Sequence, residues 1–150
     1  MSSRRRSREL ALRALYAIEL SKNPVEQVKD DIITHNNAST AIKSFAEQLL
    51  ISTVDHLDEL DEIIRRKSTN WDFNRIAIID RIILRIAICE FLYFTDIPPK
   101  VTIDEAIEIA KNYSTAKSGQ FINGILDSVL TELRQHNRLD KRGRGLIDGK

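Results

Sequence analysis

Glycine and proline are scarce in this chain, five and three among 150 residues, and no segment alternates apolar and polar residues at period two. These absences argue against strands and leave an all-α fold. There is a single cysteine, Cys89, so no internal disulfide can form, which fits a reducing, cytoplasmic compartment. Cys89 reads as a small buried apolar residue, not as a reactive thiol. No uninterrupted apolar run reaches the roughly 18 residues that a membrane span needs. The N-terminal arginines precede no apolar run, because Glu9, Arg13 and Glu19 interrupt it, so no secretory signal is expected.

Catalytic patterns are missing too. His35, His56 and His136 lie far apart, without the i, i+4 pairing or cysteine partners of a metal site. There is no P-loop, no G-x-G-x-x-G and no G-x-S-x-G elbow. The run Asp55, Asp58, Glu59, Asp61, Glu62 lacks the pattern of a calcium loop and reads as a solvated helix face. We therefore expect no enzyme, no cofactor and no metal.

What is present is an ordinary globular composition, 42% hydrophobic and 30% charged, at a length that suits one domain with a real core. The net charge of +1 is polarised. Residues 1–13 hold five arginines against one glutamate, and residues 134–150 hold six basic residues against two aspartates. The body between them is acidic. Basic ends on an acidic body suit a polyanion bound at one edge.

Helical spacing organises the chain. A first helix starts near Ser3 or Ser7 and ends at Ser21, with Leu10, Ala14 and Ala17 on one face. Asn23-Pro24 opens a second, short helix reaching about His35. Ser39 caps a long stretch to about Lys67, with Thr53 in a core position where a kink or split is expected. Pro98-Pro99 cannot continue a helix, and Thr102 with Glu105 makes a capping box for the next one. Ser118 caps a last helix to about Gln135. Gly124 inside that helix suggests close backbone approach. Residues 1–136 are expected to form one helical domain, and 137–150 a flexible tail.

The organising stretch is Trp71–Phe94, WDFNRIAIIDRIILRIAICEFLYF, apolar on nearly all sides and so expected as a helix wrapped by others. Asn70 or Asp72 would cap it. Asn74, Arg81 and Arg85 share one stripe, whereas Asp80 stands among apolar neighbours. A carboxylate there must be paired, neutralised or presented to a partner.

Two places suit nucleic acid. In RRRSR, Arg4 and Arg8 align at i, i+4 while Arg5 and Arg6 fan to either side, so one helix end can meet several phosphates or stack on unpaired bases. A basic terminus that only aids solubility is the competing reading. Phe121 is either a core residue or a stacking platform beside the helix start Lys117-Ser118-Gly119-Gln120. Tyr16 reads as a partly buried helix residue suited to an interface.

Four ordered segments, RRRSRELALRALYAIE, NWDFNRIAIIDRIILRIAICEFLY, DIPPKVTIDEAIEIAK and SGQFINGILD, resemble the NusB family over about Arg4–Arg134. The resemblance implies an all-α fold of two helical bundles. It implies an antitermination factor that binds boxA RNA as a heterodimer with the ribosomal protein NusE, working with NusA, NusG and RNA polymerase on ribosomal RNA operons. Arg4, Arg5, Arg6 and Arg8 match the family's first RNA contact, and Lys117, Ser118, Gln120 and Phe121 its second. Tyr16 and Asp80 match residues that face NusE. Position 120 is often basic in the family and 117 can be acidic, so Gln120 and Lys117 depart from the pattern. Some members self-associate as homodimers, and the same domain type occurs in some RNA methyltransferases. An all-helical chain of this length has no space for their cofactor domain.

Overall fold

In the computed structural model, residues 3–68, 73–115 and 117–147 are described. Among them every regular element is helical. The chain divides into two compact units, residues 1–55 and 56–150.

The first unit contains α1 (Ser3–Ser21), α2 (Val25–Lys29) and α3 (Thr40–Asp55). After α2 the chain widens into a π-helical turn, Asp30–Thr34, where the His35 N–H donates to the Asp30 carbonyl. α1 packs against α3 because both present small and branched side chains at helical spacing. Leu10, Ala11, Ala14, Ala46, Leu49 and Leu50 are all buried. Ser39 is the expected cap, its Oγ accepting from the Ile42 N–H at 3.2 Å. Ser7 adds a tie between the two helices by donating to the Ile42 carbonyl at 2.8 Å. The expected split beyond Thr53 is real: α3 ends at Asp55 and the next helix begins at Leu57.

The second unit contains α4 (Leu57–Lys67), α5 (Ile78–Tyr93), α6 (Pro99–Tyr113) and α7 (Ser118–Gln135), with 3-10 turns at Phe73–Arg75 and Gly143–Leu146. α5 is the wrapped helix, buried without interruption from Ile82 to Phe91. It is shorter than expected. Ala77 is extended (φ −53°, ψ 139°), so the helix opens at Ile78. Asn74 therefore lies on a separate turn, off the Arg81–Arg85 stripe. Burial of Phe73 and Ile76 there outweighs helix propensity, and the guanidinium groups of Arg65 and Arg81 lie 4.3 and 5.1 Å from the Phe73 ring centre. Asn70, Trp71 and Asp72 lie outside the described residues.

Other expectations are also corrected. α6 starts at Pro99, where a missing N–H is harmless, so Thr102 is inside the helix and no capping box forms. Its Oγ1 instead donates to Glu90 Oε1 at 2.8 Å in the core. Arg85 makes a buried double hydrogen bond to Asp61 (2.7 and 3.1 Å), which removes Asp61 from the solvated acidic face. Gly124 is exposed, and a Cβ there would meet nothing within 4 Å, so no backbone approaches it.

Residues 138–147 do not form a free tail. Lys141 is buried and its Nζ donates to the carbonyls of Glu90 (2.9 Å) and Phe94 (2.7 Å), capping the C-terminal end of α5. Arg138 pairs with Glu59 at 3.0 Å. The Tyr93 hydroxyl donates to the same Glu59, and partial burial together with that carboxylate pushes Tyr93 up to about 12.

Candidate nucleic-acid interface

The first turns of α1 carry the arginine run, and helical spacing sorts it. Arg4 and Arg8 fall one above the other, as expected, and meet the same ring. Their guanidinium carbons lie 4.3 and 5.7 Å from the centre of Phe45 on α3. Arg4 is exposed and Arg5 half-buried. Arg6 is exposed and donates to Asn36 Oδ1 at 3.3 Å. Arg8 departs from the expectation: at 3% exposure it offers no surface to a phosphate. Its guanidinium lies by Phe45 instead. Farther along α1, Tyr16 is 38% exposed, with exposed Arg13 and Leu20 at helical spacing on either side.

In the second unit the α6–α7 loop returns the chain to the start of α5. A cleft of about 370 Å³ opens there, lined by Arg75, Ile76, Ala77, Asp80, Thr115, Lys117, Ser118, Gln120 and Phe121. Four expected contacts and Asp80 thus come together from positions nearly forty residues apart. Lys117 and Gln120 are exposed and Phe121 is half-buried. Ser118 is no side-chain cap. Its Oγ donates to Asp80 Oδ2 at 2.9 Å and lies 2.9 Å from Ser114 Oγ and 3.1 Å from Thr115 Oγ1.

Asp80 is 7% exposed, and its Oδ2 accepts from the Ser118 hydroxyl. It occupies the first turn of α5, where the helix dipole favours an acid. Its other oxygen, Oδ1, is buried and accepts no hydrogen bond among the described residues. Arg75 and Thr115 also line the cleft, and no sequence motif marks either of them. A lone arginine about forty positions from Lys117 carries no local signal. No His/Cys/Asp/Glu grouping among the described residues could hold a metal ion, and no described helix is long and apolar enough to cross a membrane.

Comparison with known proteins agrees with this architecture. The NusB family model matches residues 5–131. The transcription antitermination protein NusB of Chloroherpeton thalassium is 47% identical over 147 residues, covering 97% of this chain and 70% of that protein. A solved NusB of T. maritima superposes with a TM-score of 0.81 at 38% identity, over 88% of this chain and 93% of that one. A structure described as antitermination factors NusB and NusE in complex with dsRNA shares the fold, with a TM-score of 0.79 at 22% identity over 88% and 98% of the two chains. The chain belongs to the NusB family of transcription antitermination proteins.

Proposed function

We propose that this protein is a transcription antitermination factor that binds boxA RNA together with NusE and supports processive transcription of ribosomal RNA operons. It acts by binding, not catalysis, in the cytoplasm, within an assembly that includes NusA, NusG and RNA polymerase. The observation that carries the reading is the cleft, where a half-buried aromatic ring lies beside exposed cations at the start of an 18-residue helix. That combination suits an unpaired nucleic-acid strand. Arg4, Arg5 and Arg6 supply a second cationic edge, with Arg8 behind them. A NusB relative caught with NusE and RNA supports the same partners. Tyr16, exposed on α1 beside Leu20, is the side chain assigned to NusE.

The test is a titration of boxA and scrambled RNA, with and without NusE, at several salt concentrations. Tighter binding of boxA, strengthened by NusE, is the expected result. Arg5→Ala with Arg6→Ala should weaken binding and flatten the salt dependence by about 0.7 log unit per lost phosphate contact. Equal affinity for matched and scrambled RNA, with no effect of NusE, would show the reading to be wrong.

A further inference from the structure

The cleft holds more than the first turn of α7. Arg75 lines it from the 3-10 turn before α5. On this unit several basic side chains already have an acid: Arg66 and Lys67 share Glu132, Arg85 holds Asp61, Lys111 holds Glu108, Arg138 holds Glu59 and Arg142 holds Asp140. Arg75 and Lys117 are exposed, and neither has an acidic partner among the described residues. Ile76, Ala77 and Phe121 give the same cleft an apolar wall. Its volume of about 370 Å³ is that of a small-ligand pocket. Asp80 lines it as well, with Oδ1 buried and unpartnered. A buried acceptor of that kind is costly until a donor reaches it.

We infer that the cleft is a one-nucleotide site, in which Phe121 stacks an unpaired base, Arg75 and Lys117 hold its phosphate, and Asp80 Oδ1 accepts from the base edge. The inference rests on the RNA-binding reading and adds Arg75 and Asp80 to it. The acceptor selects among bases. Guanine offers N1–H and its 2-amino group side by side, so a carboxylate meets donors only. Uracil offers N3–H between two carbonyl oxygens, which a carboxylate repels. Hypoxanthine keeps N1–H and lacks the amino group. The expected order is guanine, then hypoxanthine, then uracil. Charge is compatible with this arrangement, because Asp80 lies at the positive end of α5 and is already hydrogen-bonded by Ser118.

The experiment uses the full chain and short oligouridine RNA carrying one central guanosine, inosine or uridine, read by fluorescence anisotropy at several salt concentrations. The wild type should prefer guanosine to uridine on the order of tenfold, the scale of one well-made base contact. Arg75→Gln should weaken all three RNAs and reduce the salt slope by about 0.7. Asp80→Asn keeps an acceptor for Ser118 and exchanges one oxygen for a donor, so the guanosine preference should vanish. A wild type that ignores the central base overturns the inference without any variant, so loss of folding in Asp80→Asn cannot shield it. An unchanged salt slope in Arg75→Gln overturns it too. If Arg5→Ala with Arg6→Ala abolishes binding while Arg75→Gln and Asp80→Asn change nothing, RNA binding stands and the one-nucleotide site falls. If no RNA binds with or without NusE, both fall.

Discussion

Ser118 Oγ donates to Asp80 Oδ2 at 2.9 Å, joining the first turn of α7 to the first turn of α5. The bond explains how a carboxylate can stand among apolar neighbours, and it fixes the turn that carries Lys117, Gln120 and Phe121. Ser118→Ala would leave both Asp80 oxygens without the hydroxyl. A buried acceptor stripped of its donor costs about 1–3 kcal/mol. Urea unfolding should show a loss of that size, together with weaker RNA binding. Unchanged stability would mean that water replaces the hydroxyl and that the serine positions nothing.

Arg85 and Asp61 form another buried polar contact between helices of this unit, with residue exposures of 5% and 9%. Removing one partner strands a charge, so Arg85→Ala should cost about 3–5 kcal/mol. The double variant Arg85→Met with Asp61→Leu fills the volume and removes both charges, and it should recover most of that loss. The comparison is a denaturant midpoint series. A double variant no more stable than Arg85→Ala would make geometry, not the stranded charge, the source of the cost.

These two contacts also mark what the chain reveals before it is folded. The all-helical class, the ends of α1 and the cap at Ser39 follow from local spacing and capping chemistry, which act within a few residues. The wrapped character of α5 follows from composition alone. Asp61 looked solvated because its acidic neighbours are, and only the position of Arg85 on another helix turns it inward. Thr102 fitted a capping box, yet Pro99 supplied an equally good helix start three residues earlier. At the site, Phe121 and Lys117 were visible through their motif, whereas Arg75 enters the cleft through tertiary approach that no local pattern encodes. Arg8 shared the sequence context of Arg6, and only Phe45 on α3 separates their roles.

Glu132 lies between Lys67, at 3.0 Å, and Arg66. The Lys67 hydrogen bond is the main cause that holds its carboxyl below the ordinary value of 4.5, against a smaller opposing effect of burial. A depressed folded value means that this group stabilises the fold above about pH 4.5 and ceases to as pH falls through the folded value. Glu132→Gln should therefore cost up to about 1 kcal/mol at pH 7, an amount limited by solvent screening. The gap to wild type should close in acid. Thermal melts between pH 3 and 7 check this, and a constant gap across that range would contradict it.

The docked segment 138–147 makes its own prediction. A Cβ on Gly145 would lie 2.0 Å from the Thr95 carbonyl oxygen, which also accepts from the Arg142 N–H at 3.0 Å. Gly145→Ala cannot keep that contact. Hydrogen exchange should speed up over 138–147 while α5 keeps its protection, since α5 is covered mainly by other helices. Lys141→Met should produce the same local release, with a loss of about 2 kcal/mol for two charged hydrogen bonds to carbonyls. Unaltered exchange in both variants would show that neither contact holds the segment.

Arg6 and Arg8 lie two residues apart on α1 and should fail in different ways. Arg6 is exposed, and its side chain donates to Asn36 Oδ1. Arg6→Ala should leave the melting temperature within error and lower RNA affinity, with a salt slope reduced by about 0.7. Arg8 is 3% exposed with its guanidinium 5.7 Å from the Phe45 ring centre, where it also supports the packing of α1 on α3. Arg8→Ala removes a buried cation–π contact and its aliphatic stem, at a cost of about 2 kcal/mol or more. Its RNA affinity should fall only as far as the population of folded first unit falls, and raising the stability with an osmolyte should restore it. The deciding observation is the salt slope. If Arg8→Ala flattens it as much as Arg6→Ala does, the buried guanidinium must swing out to meet phosphate, and its assignment as a support is wrong.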